Sequence, residues 1–97
     1  MKNLYIHQHS RLGDMILCNG LIRVLSRKYS NYYLNIFCRS KHIDLIKFMY
    51  RDQEKIKLIP LNENPTLKNE KLLIKYEGKF IENYIKKNNI KKQKLIT

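Results

Sequence analysis

Ninety-seven residues make one domain that buries only about 60–65% of its unfolded surface, so a two-lobed enzyme with a cleft between its halves is excluded for this chain alone. A hydrophobic content of 43%, with 10% aromatic residues, three Gly and two Pro, excludes wholesale disorder and collagen-like or low-complexity sequence. Twenty Lys and Arg against eight Asp and Glu leave a net charge of +12, which suits either an anionic partner or a solvated basic surface.

The chain opens on a short β-favouring run, Leu4 to His9, ended by the polar turn Ser10-Arg11-Leu12-Gly13-Asp14. Ile16, Leu17, Leu21, Val24, Leu25 and Tyr29 then recur at spacings of three and four and predict a helix with these residues along one stripe. Asp14 stands at its start, where a carboxylate can cap free amides and oppose the positive dipole end. After a turn at Ser30-Asn31, Tyr33 to Cys38 reads as a second strand. Ser40 is the expected N-cap of a second helix over His42 to Asp52, with Ile43, Ile46, Met49 and Tyr50 on one face. Lys55 to Leu61 forms a third strand, closed by Pro60 and the loop Asn62 to Thr66. Strands alternating with helices predict right-handed crossovers and a partial doubly wound parallel α/β sheet, β-α-β-α-β-α, with residues 1–61 as its core.

Residues 62–97 carry the loop, a basic amphipathic segment and the start of a further strand. Leu73, Tyr76, Phe80, Ile81, Tyr84 and Ile85 fit a helix interrupted by Gly78. The alternative is a hairpin of 71–76 and 79–84 joined at Glu77-Gly78. Asn88-Asn89 ends the segment, and Lys94 to Thr97 reads as a short fourth strand.

The segment Ser10 to Leu25 is the most informative. In an open parallel sheet, the loop leaving a strand's carboxyl end faces the ligand crevice. Gly13 there permits close backbone approach or a positive φ, and Asp14 brings a carboxylate, the minimum a general base needs beside a sugar hydroxyl. The same pair also reads as a plain turn with a cap. Neither the dinucleotide fingerprint nor the P-loop pattern occurs.

Ser10, Leu12, Gly13, Asp14, Met15 and Ile16, followed by Leu21, Arg23 and Leu25, resemble the N-terminal signature of the heptosyltransferase-type glycosyltransferases, and the elements over residues 3–61 follow in that family's order. The resemblance implies the N-terminal half of a GT-B-like Rossmann lobe, the part that holds the acceptor glycan or lipopolysaccharide. Asp14 would be the catalytic base, and Ser10, Arg11 and Gly13 would line the acceptor pocket. Arg11 would pair with an anionic acceptor group. Gln8 departs from a common basic residue of the family, His9 from a Pro, and Gly20 lies near a frequent Pro. A nucleotide-sugar donor would bind only with a C-terminal lobe, encoded separately if the enzyme is split. Without that lobe the chain is expected to be inactive.

Other features carry bland readings beside functional ones. His7 and His9 alternate onto one strand face, but a metal site lacks a third ligand, and none is assigned. Cys18 and Cys38 form no disulfide scaffold or Cys-x-x-Cys pair, and Cys18, near the start of the first helix, reads as a buried free thiol in preference to a nucleophile, since no His-Asp partner can be assigned to it. Tyr29, Tyr32 and Tyr33 near Arg27 and Lys28 suit stacking on bases or sugars, or plain packing. The charge is spread along the chain. Only Lys86 to Lys94 forms a run, with five Lys and no acid. It suits a helix C-terminus, an anionic membrane surface or nucleic-acid phosphates, in that order. A small basic nucleic-acid-binding protein is the alternative function, though no recognition-helix, zinc-finger or RNA-recognition signature supports it. The absence of a long apolar run leads to the expectation of a cytoplasmic protein, and the Lys86 to Lys94 run to that of a peripheral place at the inner face of the membrane.

Overall fold

The computed structural model describes residues 2–7, 11–61, 70–90 and 95–96. Three strands, β1 (Lys2–Ile6), β2 (Tyr32–Arg39) and β3 (Ile56–Leu61), pair in parallel, and a two-residue β4 (Leu95–Ile96) extends the sheet on the far side of β1. The strand order is β3-β2-β1-β4. Between the strands run α1 (Leu12–Leu17), α2 (Asn19–Lys28), a 3-10 turn (Ser40–His42), α3 (Ile43–Met49) and α4 (Glu70–Lys87). This is the mixed α/β architecture that the alternation of elements predicts, with a parallel sheet covered on both faces as in a partial Rossmann-like fold.

Side chains alternate across a strand, and the core divides accordingly. Leu4 and Ile6 of β1, Leu34, Ile36 and Cys38 of β2, and Ile56 of β3 point to one face. There they bury Met15 of α1, Ile22 of α2, Ile46 of α3 and Tyr50. The intervening residues Tyr5, Phe37, Ile59 and Leu61 point to the other face and pack against Phe80, Ile81, Tyr84 and Ile85 of α4. Phe37 meets Tyr84 edge-on at 5.4 Å between ring centroids. β2 is buried on both sides, which explains its near-continuous apolar run. β3 is an edge strand, and Pro60 is tolerated in it because one side of such a strand has no ladder to complete.

Several boundaries differ from expectation. β1 ends at Ile6, three residues before the predicted His9. The first helix is two segments, broken at Cys18, and the residues turned to the sheet are Met15, Ile22 and Ser26, with Leu25 and Tyr29 half-buried. Ile16, Leu17, Leu21 and Val24 of the predicted stripe are exposed. The segment carries apolar residues on two flanks, and period alone does not say which one the sheet takes. Ser40 does not cap α3. It opens the 3-10 turn, and its hydroxyl donates to the Leu61 carbonyl at 2.9 Å, tying the ends of β2 and β3. Between helix and hairpin for residues 71–85, the structure has the helix, which passes through Gly78. It closes in a Schellman arrangement: Asn89 takes φ 53°, its amide donates to Lys86, and the Ile90 amide donates to Ile85. Among the described residues, no helix is long and apolar enough to cross a membrane.

One polar hub ties the first helical layer together. The Arg23 guanidinium forks onto both Asp52 carboxylate oxygens at 2.8 and 2.9 Å. It also donates to the Met49 carbonyl at 3.0 Å and to Asn19 Oδ1 at 2.9 Å, and lies 5.8 Å above the Tyr50 ring centroid. These bonds join α2 to the end of α3 and the turn into β3. Arg23's hydrogen bonds hold the Asp52 carboxyl well below the usual carboxylate range. Burial pushes the Tyr50 phenol up to about 12.

A depressed carboxyl pKa adds stability above the unfolded value, about 3.9, and loses it as pH falls through the folded value. Asp52→Asn is therefore expected to melt below wild type at neutral pH, with the gap closing as pH falls below about 4. An equal deficit at neutral and strongly acidic pH, in melts followed by circular dichroism, would contradict this role.

Candidate ligand site at the carboxyl edge of the sheet

Where β1 lies between β2 and β4, the strand order reverses. From β1 the chain enters the helical layer of α1 to α3, whereas α4, which leads into β4, lies on the opposite face. Ligands in open α/β sheets bind outside the carboxyl ends of the strands at such a switch point. The residues that the fold brings to this edge are His7 after β1, Arg11 and the first turn of α1, Arg39 at the end of β2, and Ser40.

Arg11 takes extended backbone angles (φ −66°, ψ 142°) and immediately precedes α1. The Met15 amide donates to its carbonyl at 3.1 Å. Asp14 is the third residue of α1, and no side chain caps this helix, so the expected capping role is not realised. Its carboxylate lies near the positive end of the first turn and accepts a hydrogen bond from Arg11 Nε at 3.1 Å. Side-chain exposures of 61% for Arg11 and 32% for Asp14 leave this pair open to solvent. Such a pair orients the carboxylate while remaining displaceable, because exposed ion pairs are weak.

Gly13 does not play the part expected of it. It lies inside α1 with an ordinary helical φ, and a Cβ there would meet nothing within 4 Å. Neither a left-handed turn nor a close packing contact requires glycine. Ser10 and His9 lie outside the described residues. His7 packs edge-on to Phe37 at 6.4 Å between centroids. Among the described residues, no group of three His, Cys, Asp or Glu side chains is placed to hold a metal. The tyrosines lie elsewhere: Tyr29 and Tyr32 pack edge-on at 5.8 Å where α2 turns into β2, at the opposite end of the sheet.

Sequence reasoning missed Arg39 and Glu77. Arg39 Nε donates to Glu77 Oε1 at 2.5 Å, with both side chains only 4% exposed. The pair joins the carboxyl end of β2 to the middle of α4 and so forms the floor of the edge on the α4 side. A signal was present: Glu77 stands at the spacing of Ile81 and Tyr84 on the apolar stripe of α4, where an acid requires a buried partner. Two open depressions of about 500 and 360 Å³ lie away from this edge. One is lined by Ser26, Ser30 and Lys55, the other by Tyr50, Lys57 and Leu58. Both belong to the amino end of the sheet and the flank of β3, and the candidate site is placed by topology and charge.

No family model, curated protein or solved structure matches the chain.

Removing one member of a buried ion pair leaves an uncompensated charge and costs about 3–5 kcal/mol. Glu77→Leu is expected to lower the unfolding free energy measured in urea by that order, while Arg39→Met combined with Glu77→Leu recovers most of the loss. Additive losses in the double variant would show that the two side chains are not coupled.

Proposed function

We propose that this chain is the acceptor-binding part of a glycosyltransferase of the heptosyltransferase type, built as the N-terminal half of a GT-B-like lobe. The observation that carries the reading is the solvent-open Arg11–Asp14 pair immediately beyond β1, beside the strand-order reversal. Support also comes from the Ser10 to Leu25 segment, whose Gly13-Asp14 core follows a parallel β1 and opens a helix as in the family it resembles.

In this reading, Asp14 accepts the proton of an acceptor hydroxyl as that oxygen attacks the donor sugar's anomeric carbon. The bond to the nucleoside diphosphate breaks, and the diphosphate leaves with its electron pair. Arg11 turns from Asp14 to an anionic group of the acceptor, freeing the carboxylate as the ligand arrives. The family resemblance alone assigns Ser10 and Gly13 to the acceptor side. The nucleotide-sugar donor binds to a C-terminal lobe, encoded separately if the enzyme is split. The acceptor belongs to a membrane glycan, so an anionic membrane surface is part of the proposal, with the protein at its cytoplasmic side.

The test is a transfer assay with a donor-binding lobe supplied, using a phosphorylated core oligosaccharide as acceptor. Asp14→Asn should reduce turnover by about 10²–10⁴-fold, the range for a lost general base. Unchanged turnover would remove Asp14 from the reaction. If the chain instead retained duplex DNA with a steep salt dependence and ignored the oligosaccharide, the nucleic-acid-binding reading would replace this one.

A further inference from the structure

The helices of the first layer bury their inner sides in one cluster, so their outer sides face the same way. Arg23 spans the space between α2 and the end of α3, which holds the two helices side by side. The described residues form a slab of 39 × 29 × 17 Å, and this layer lies on one side of its sheet. That face should be polar in a soluble domain. It instead presents Leu17 at 83% exposure, Leu21 at 59% and Phe48 at 61%, with Val24 and Leu45 about half exposed.

Cations surround these side chains. Arg27 and Lys28 lie at the end of α2, Lys41 and Lys47 flank α3, and Arg51 lies 4.1 Å over the Phe48 ring. Of the four acids in and just after this layer, Asp14 is engaged by Arg11 and Asp52 by Arg23, leaving Asp44 and Glu54 against the larger number of cations. A second copy of the chain would bring the same excess of positive charge against itself. An occupant complementary in charge and shape is broad, anionic on its surface and apolar just beneath.

We propose that the outer face of α1, α2 and α3 docks on an anionic lipid bilayer, with Leu17, Leu21, Val24, Leu45 and Phe48 entering the interface and Arg27, Lys28, Lys47 and Arg51 meeting the headgroup phosphates. Apolar insertion and electrostatic attraction add in such interfacial binding. The proposal gives the expected membrane partner a face other than the Lys86 to Lys94 run. It does not rest on the glycosyltransfer reading, because docking involves no sugar and no step at Asp14.

Vesicle sedimentation with the full chain tests it. Vesicles of phosphatidylcholine with about one-third phosphatidylglycerol should bind the protein at least tenfold more strongly than pure phosphatidylcholine vesicles, with binding falling as salt rises. Leu21→Ser combined with Phe48→Ser should weaken binding by about tenfold or more, since both side chains lose apolar burial at the interface. Because both are exposed, circular dichroism should be unchanged. Arg27→Glu combined with Lys47→Glu should abolish the preference for anionic vesicles. Equal binding to both vesicle types, no binding to either, or full binding by the Ser double variant would each overturn the proposal. So would sedimentation equilibrium showing that this face pairs two copies of the chain.

Discussion

Parallel pairing of β1 with β2 is the constraint from which the rest of the molecule follows. Two parallel strands cannot be joined by a tight turn, so the chain must cross over through helix, and the crossover must return on a fixed hand. Once Leu4, Ile6, Leu34 and Ile36 share a face, α1 and α2 have one place to pack, and α3 follows beside them. β2 is then sealed on that side, and its other residues, Phe37 and Arg39, must be covered by a second layer. α4 supplies that cover, and β4 enters on the opposite flank of β1. The reversal of strand order beside Asp14 is a consequence of these steps.

Two arginines act on this frame in different ways. Arg23 works at a partly exposed seam, where a forked contact with Asp52 and a carbonyl bond fix the separation of α2 and α3. Arg39 is buried with Glu77, and desolvation makes the pair sensitive to the loss of either member. Pairing of this kind specifies where α4 lies along β2, because any shift would strand a charge in an apolar layer. Among the described residues, most of the other Lys and Arg side chains are exposed.

Most of the fold was legible in the sequence. The strand runs Tyr33 to Cys38 and Lys55 to Leu61 were found almost to the residue, because their β-branched and aromatic content coincides with burial. The face of α3 was legible for the same reason. The inward side of the first helix was not, because Leu17, Leu21 and Val24 are as apolar as Met15, Ile22 and Leu25, and only the sheet decides between them. The residue that capping rules favoured as helix start, Asp14, lies one turn further in, since Arg11 already has the extended backbone that precedes α1. Ser40 was placed on the right junction with the wrong partner. Glu77 was hidden by its neighbour Gly78, which makes the dipeptide resemble a turn. Of the candidate site, the placement of Arg11 and Asp14 after β1 was legible. The ion pair between them was not, because whether a cation and an acid three residues apart bond depends on side-chain rotamers.

The functional reading needs the loop after β1 to open at the carboxyl edge of a parallel sheet, between β2 on one side and β4 on the other. Nuclear Overhauser contacts between backbone protons of the labelled chain in solution measure that arrangement directly. The account predicts contacts that ascend together, Leu4 with Leu34 and Ile6 with Ile36 on one side, and Tyr5 with Leu95 and Ile6 with Ile96 on the other. A ladder in which β1 contacts β2 in descending order, or in which β4 pairs with β3 instead of β1, would contradict it.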